Sequence, residues 1–286
     1  MPKKLLNGRE LAGYIKERQA KQVRTLTQAH GVLPKLAIVQ TKDDPVINTY
    51  VRLKQRYGAD IGIAVEQHFV AQAEVKDVIK QLNSDDTVHG IIVQLPLADI
   101  DQTDETLQLV TAAKDVDALG SQEYFEPATP MAIMWLLAGY NVELRGKEIM
   151  LIGKGKLVGA PLEKILREQG HSVRVVERGQ KILDPTSSAS RQTTKGIGAS
   201  SISADVIITA TGSPAILFSD MIKPGAVVVD AGVASEDGKT VGDVAAEVYE
   251  RDDVIITPQK GGVGPLTVCA LFENVLRACQ AKQENT

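Results

Sequence analysis

The chain has 286 residues, 43% apolar and 24% charged, a composition that excludes a disordered chain and leaves room for two domains, each burying its own core. A net charge of −4 gives no whole-chain footprint for nucleic acid or anionic lipid, so an anionic ligand has to be held by local groups. No apolar run reaches the roughly 18 residues of a membrane span, "MAIMWLLAGY" being too short.

The opening "MPKKLLNGRELAGYIKERQ" runs directly into charged helix, which predicts no leader peptide. From there the apolar period alternates: "GRELAGYIKERQAKQVRTL" reads as helix, "KLAIVQ" as a short buried strand, and "NTYVRLKQRYGADIG" as helix. Within the last, Tyr50 and Lys54 share one helical face, because four residues nearly complete a turn. Taken alone, such a pair belongs more often to a wet surface than to a site. The same spacing occurs in short-chain dehydrogenases, but there the pair follows a Gly-rich turn, whereas here it precedes one by about a hundred residues. That order argues against the short-chain reading.

"IAVEQHFV" continues as strand, "EVKDVIKQLNS" as helix, and "VHGIIVQLPL" as a continuous apolar strand of the kind a sheet covered on both faces requires. Gln94 ends that strand, and a buried amide there needs a partner, since an unpaired one costs on the order of 1–3 kcal/mol. "KDVDALG" places Asp115 and Asp117 in a turn, Asp115 as a turn or cap residue.

From about Pro127 a second series runs: helix "PMAIMWLLAGY", strand "EIMLIG", helix "APLEKILREQG", strand "SVRVVE", then "ADVIITATG", "GAVVVDAG" and "DVIITP". Strands alternating with helices at this spacing describe a parallel, doubly wound sheet. Gly153, Gly155 and Gly159 follow the first strand and open its helix, with Pro161 just inside, so that backbone can approach a pyrophosphate at the positive helix end. The next strand ends at Glu177, about where an acid accepts the 2′-hydroxyl of NAD, while Arg178, Lys154, Lys156 and Lys181 would attract the 2′-phosphate of NADP. The sequence leaves that choice open. The stretch from Arg178 to Ser203, rich in Ser, Thr and Gly, reads as a loop.

"ITPQKGGVGPLT" carries Gly261, Gly262, Gly264 and Pro265 between a strand and the last helix, where it either presents backbone to a ligand or connects two domains. The last helix, "TVCALFENVLRACQ", bears an apolar stripe of Val268, Leu271, Phe272, Val275 and Leu276, expected to pack back on the first domain. Cys269 and Cys279, ten residues apart on that helix, stand roughly 15 Å from each other, too far for a disulfide. They fit a reducing cytoplasm. The four histidines lack ligand spacing, so no metal is expected.

In this order, "YVRLK", "VHGIIVQLPL", "KDVD", "PATP", "GKGKLVGAPL", "ADVIITATG" and "ITPQKGGVGPLT" resemble, nearly end to end, the FolD family of bifunctional methylenetetrahydrofolate dehydrogenases and methenyltetrahydrofolate cyclohydrolases. The resemblance implies a cytoplasmic homodimer with no nucleic-acid or membrane partner. Its α/β fold would comprise a folate domain at 1–122 and 262–286, closed by the C-terminal helix, and a Rossmann-like domain at 123–261, with folate in the cleft between. Lys54 matches the family's catalytic lysine, Tyr50 the tyrosine stacked on folate, Gln94 the lysine's partner and Asp117 the acid holding the pterin. Leu95, Gly261, Gly262, Gly264 and Pro265 match substrate positions. Gly153, Lys154, Gly155, Arg178, Thr211, Gly212 and Val233 match positions for NADP, with NAD as the alternative.

The chain departs from the family at several places. Ile47 stands for a usual Ser, Lys154-Gly155 for Arg-Ser, Ala118 and Ala132 for Gly, Gln259-Lys260 for Val-Pro, and Arg178 for a serine near the ribose phosphate. Two narrower readings therefore stand beside the bifunctional enzyme: a cyclohydrolase with weak or NAD-linked dehydrogenase activity, and a non-catalytic folate- or nucleotide-binding paralogue.

Overall fold

The structure, a computed structural model, describes residues 4–120, 122, 124–177, 203–236 and 239–284. Its strands are β1 (Lys4–Leu5), β2 (Lys35–Gln40), β3 (Ala64–Phe69), β4 (Gly90–Val93), β5 (Ile149–Ile152), β6 (Val173–Val176), β7 (Val206–Thr209), β8 (Val227–Asp230), β9 (Ala234–Glu236), β10 (Lys239–Val241) and β11 (Ile255–Ile256). Its α-helices are α1 (Gly8–His30), α2 (Pro45–Ile61), α3 (Val75–Ser84), α4 (Thr103–Leu107), α5 (Ala128–Gly139), α6 (Gly159–Glu168) and α7 (Val263–Glu284).

The chain forms two compact units, one of Ala12–Ala128 with Val268–Thr286, the other of Met1–Leu11 with Thr129–Thr267. The expected division put all of 1–122 in the first. Instead β1 pairs in parallel with β11, Lys4 opposite Ile255 and Leu5 opposite Ile256, so the N-terminal segment joins the nucleotide-type sheet. A two-residue strand beginning with lysine has no alternation to announce it, and only its pairing reveals it.

In the first unit β2 lies between β3 and β4, all parallel. Every residue of β4 is buried, whereas β3, at the edge, is largely open. Ala37, Val39, Ile79, Leu82, Ile91 and Val93 belong to one core cluster, each Val, Leu or Ile side chain contributing about 1.5–3 kcal/mol on full burial. Helix α2 is set at both ends. The Asp44 carboxylate accepts from the amides of Val46 and Ile47, Pro45 occupies the first turn, and Gly62 closes the helix at φ 85°, a left-handed cap that glycine adopts without strain. Its buried stripe is Ile47, Val51, Gly58 and Ile61, which leaves Lys54 at the border between core and surface.

The α7 segment packs on this unit as expected. Gln19 donates to the Cys269 carbonyl at 2.9 Å, and the Tyr57 ring lies 5.0 Å from that of Phe272. Leu271, Phe272, Val275 and Leu276 are buried, and Cys269 and Cys279 are free, buried thiols.

The second unit holds a six-stranded parallel sheet ordered β1-β11-β8-β7-β5-β6, with β9 and β10 as a separate antiparallel hairpin. The chain goes from β5 to β6 on one side and then to β7 on the other, which makes the carboxyl end of β5 a topological switch point. In the first unit β2 is flanked in the same way by β3 and β4. Ligands of open parallel sheets collect at such points, and both candidate sites lie there. The loop expected at 178–203 falls outside the described residues except for Ser203, which is exposed.

Candidate active site and nucleotide turn

Lys54 projects from α2, the helix after β2, and Gln94 follows β4 directly. The Lys54 amine donates to Gln94 Oε1 at 2.7 Å. The amide is fixed from its other end, since Gln94 Nε2 donates to the Leu95 carbonyl at 3.1 Å and the Gln94 backbone N–H to Val39 at 2.8 Å. The oxygen therefore faces the amine. Gln94 is buried, so the expected partner for its amide exists, and it is Lys54.

Burial pushes the Lys54 amine below its ordinary pKa, with the Asp117 carboxylate opposing that shift less strongly. Asp117 is itself pushed up by burial, and Lys54 pulls it back. The two groups thus sense one another inside the first unit. Asp115 does the work of a turn residue, its carboxylate accepting from Gly120 N–H at 2.7 Å. Between the two acids and that amide, Ala118 is held at φ 55°, a left-handed backbone unfavourable for a residue with a Cβ. Tyr50 is 40% exposed, one turn before Lys54, so its ring is available to a planar ligand. Ile47, where the family usually has Ser, is buried beneath the helix.

A side-chain amide network, not marked by any sequence motif, holds the start of α2. Gln67 Nε2 donates to Gln40 Oε1 at 2.7 Å, Gln40 Nε2 to Asn48 Oδ1 at 2.7 Å, and Asn48 Nδ2 to Asp43 at 2.7 Å. It ties the end of β2 and the edge strand to the first turn of α2. Isolated glutamines in strands carry no periodic signal, and only the fold brings them together.

In the second unit the turn after β5 has the form a pyrophosphate needs. Gly153 sits at φ 102°, and a Cβ on Gly159 would stand 2.1 Å from the Gly153 carbonyl oxygen. Any other residue at 159 would push the helix start off the turn. Gly155 faces open space, so a ligand can lie close to backbone at the N-terminus of α6. Lys154, between the two glycines, reaches Glu163 Oε2 at 3.1 Å.

The turn after β7 carries Thr211 and Gly212, with Gly212 at φ 63°. Two residues that the sequence reading passed over hold it. The Asp243 carboxylate accepts from Thr211 N–H at 2.7 Å and from Ser213 N–H at 3.0 Å. Asp230, ending β8, accepts from Gly232 and Asp243 N–H at 3.0 and 3.1 Å and from the Tyr249 hydroxyl at 2.8 Å. Gly232 lies against the Asp243 carboxylate, where a Cβ would come within 2.0 Å, and Val233 follows it, 60% exposed. The signal that could have found these acids is an Asp within two residues of a Gly, Asp230 before Ala231-Gly232 in "VVVDAG" and Asp243 after Gly242 in "VGDV".

Gly261, Gly262, Gly264 and Pro265 also belong to the second unit. The Gly261 carbonyl accepts from Arg9 N–H at 2.9 Å, and Gly8 abuts the Gly262 carbonyl so closely that a Cβ would stand 1.8 Å from it. This loop therefore anchors the start of α1. Gln259 and Lys260 beside it are exposed. Among the described residues no group of His, Cys, Asp or Glu could hold a metal ion. No described helix is long and apolar enough to cross a membrane. Arg178 and Lys181 lie outside the described residues.

Comparison with known proteins gives a consistent result. "Tetrahydrofolate dehydrogenase/cyclohydrolase, catalytic domain" matches residues 6–117, and "Tetrahydrofolate dehydrogenase/cyclohydrolase, NAD(P)-binding domain" matches residues 127–283. The chain is 36% identical to the bifunctional protein FolD of Campylobacter jejuni, over 96% of this chain and 98% of that protein. It is 33% identical to the FolD of Sulfurihydrogenibium, over 97% of this chain and 98% of the other. The crystal structure of FolD from Campylobacter jejuni superposes with a TM-score of 0.84 at 33% identity, covering 97% of this chain and 99% of that one. That of Trypanosoma brucei, complexed with NADP cofactor and inhibitor, gives 0.84 at 28% identity, covering 99% of each chain.

Proposed function

The chain belongs to the tetrahydrofolate dehydrogenase/cyclohydrolase family, and from that premise we infer that it oxidises 5,10-methylenetetrahydrofolate with NAD(P)+ and hydrolyses the methenyl product to 10-formyltetrahydrofolate. The reading rests above all on one observation: a lysine amine, lowered in pKa by burial, hydrogen-bonded at 2.7 Å to a glutamine oxygen.

In the hydrolytic step water adds to the methenyl carbon, and Lys54 in its neutral form takes a proton from that water. As the bond from this carbon to N5 breaks, the same proton passes to N5, and the hydroxyl proton leaves to solvent, so the formyl group stays on N10. A neutral amine is required at the outset, and the environment supplies it, because desolvation and the cationic substrate both disfavour a second positive charge. Gln94 orients the amine without adding charge. A carboxylate in its place would raise the amine's pKa and hold it protonated. Asp117 serves as acceptor for the N–H donors of the pterin, and Tyr50 offers its exposed ring as a stacking surface. The family resemblance assigns Leu95, next to Gln94, to the substrate as well.

In the oxidative step a nicotinamide cofactor, when bound, would supply the hydride acceptor for the methylene carbon. The protein has only to hold the two ligands in near-attack geometry. Gly153 and Gly155 admit the pyrophosphate, and the Thr211–Gly212 turn with Val233, braced by Asp243, supports the other end of the nucleotide. By the family resemblance, Gly262, Gly264 and Pro265 match substrate positions. Folate is thereby assigned to the unit bearing Lys54, and the nucleotide to the unit with the six-stranded sheet.

The enzyme acts in the cytoplasm as a homodimer, a reading supported by the two free buried thiols and by the family resemblance. Light scattering on the purified protein tests the dimer. The activity is tested by adding 5,10-methylenetetrahydrofolate with NAD+ or NADP+ and following absorbance of the methenyl product and its decay. Formation followed by enzyme-dependent decay supports the bifunctional reading, and absence of both overturns it.

A further inference from the structure

Lys154 stands between Gly153 and Gly155, in the turn that leads into α6, and is one of the cations that would attract a 2′-phosphate. It is already engaged. Its amine lies 3.1 Å from Glu163 Oε2, and the other carboxylate oxygen of Glu163 accepts from Arg167 Nε at 2.9 Å. The carboxylate is the better buried member of the pair, 14% exposed against 44% for the lysine. Arg167 is anchored further by donating to the Val173 carbonyl at 2.9 Å. The carboxylate is therefore held in place from two sides, and the lysine is the more exposed partner.

The arrangement has an electrostatic consequence at this helix end. A 2′-phosphate approaching Lys154 has to draw the amine from Glu163 and to accept repulsion from the same carboxylate. A free 2′-hydroxyl carries no such penalty, being a hydrogen-bond donor to carboxylates. The residue after the neighbouring strand β6, Glu177, is a second carboxylate, and it is exposed.

We propose that Glu163 is a specificity-determining residue that, by holding Lys154, weakens recognition of nucleotides bearing a 2′-phosphate relative to those with a free 2′-hydroxyl. The proposal rests on the reading of the 153–159 turn as the nucleotide site. Its effect is carried by one ion pair inside the second unit.

The test uses nucleotide fragments rather than turnover. Isothermal titration of 2′,5′-ADP and of 5′-AMP is carried out on the full chain, on Glu163→Gln, on Lys154→Gln and on the double variant, with a thermal melt to establish that each is folded. Glu163→Gln is expected to tighten 2′,5′-ADP by about two- to fivefold and to leave 5′-AMP unchanged. Lys154→Gln weakens 2′,5′-ADP, and in the double variant the gain disappears. If Glu163→Gln leaves 2′,5′-ADP unchanged or weaker while Lys154→Gln weakens it, the proposal is overturned and the nucleotide site stands. If Lys154→Gln alters neither fragment, or neither fragment binds the full chain, the nucleotide reading on which the proposal rests fails with it. Glu163→Ser serves in the same comparison should the glutamine variant not fold.

Discussion

The Lys54 amine and the Gln94 side-chain oxygen lie 2.7 Å apart, and the hydrogen bond joins the helix after β2 to the end of β4 across the switch point of the three-stranded sheet. The amine is lowered in pKa by its burial, and its one fixed contact is to an uncharged acceptor. Both properties suit a proton acceptor that starts neutral.

Replacing Lys54 by Met removes the base and keeps the volume. The decay of methenyltetrahydrofolate is expected to slow by about 10²–10⁴-fold, with folate binding retained in a titration. Lys54→Arg, which stays protonated at any accessible pH, should be as inactive, and near-normal hydrolysis by either variant removes Lys54 from the mechanism. Stability moves the other way. Because the folded-state pKa lies below the unfolded value, the unfolded chain binds the proton more tightly, and this group destabilises the fold at neutral pH. The penalty fades as pH rises from the lowered pKa through the ordinary one. Lys54→Met is thus expected to raise Tm at pH 7, as calorimetry would measure.

Gln94→Glu places a negative charge on the amine. An opposite charge in hydrogen-bond contact raises an amine's pKa by about 1–3 units, so the rising limb of the cyclohydrolase pH profile moves to higher pH by a similar amount. Activity lost at neutral pH returns in alkaline buffer. A profile that keeps its position while falling in height indicates that Gln94 acts on substrate and not through Lys54.

How much of this was legible beforehand depends on the range of the interaction concerned. Helix α2 declares itself through its apolar period, although the capped start at Asp44-Pro45 lies ahead of the expected Asn48, and β4 declares itself through its apolar run, because periodicity and burial are local properties. The pairing of Lys54 with Gln94 was foreseen from the resemblance, and bottom-up only as a buried amide in need of a partner. Strand β1 was not legible, since its two residues gain their structure from β11 at the far end of the chain. Asp243 and Glu163 were missed for a related reason. A carboxylate that braces a distant turn or holds a lysine across a glycine bend follows no helical or strand period.

Ala118 tests the strain in the turn between Asp115 and Gly120. At φ 55° an alanine pays about 1–2 kcal/mol relative to a right-handed residue, while glycine's extra freedom in the unfolded chain costs about 0.5–1 kcal/mol. Ala118→Gly is therefore expected to stabilise the protein by up to about 1.5 kcal/mol, seen as a small rise in the denaturation midpoint. A fall in the midpoint shows that the turn draws rigidity from the alanine.

Gly159 separates the two half-reactions. A methyl at this position would stand 2.1 Å from the Gly153 carbonyl oxygen, a backbone contact that no rotamer relieves. Gly159→Ala should displace α6 from the turn and abolish nucleotide binding by titration. Hydrolysis of added methenyltetrahydrofolate, which uses Lys54 and Gln94 in the other unit, should persist. Loss of both activities in a folded variant argues that the hydrolytic site depends on the nucleotide turn.

Asp243 is the remaining case, because its carboxylate is buried and raised in pKa by that burial first, with Asp230 adding to the rise, yet it accepts two backbone N–H bonds from the 211–213 turn. Those bonds need the acceptor oxygens more than they need the charge. Asp243→Asn keeps one acceptor oxygen and should preserve part of the turn, whereas Asp243→Ala leaves both amides without the carboxylate and is expected to destabilise the protein by about 1–3 kcal/mol. If the turn supports the nucleotide, the KM for NAD(P)+ rises in the order wild type, Asn, Ala, while the hydrolysis of added methenyltetrahydrofolate stays constant. Equal nucleotide KM values in the three proteins, measured where all are folded, confine Asp243 to a structural part.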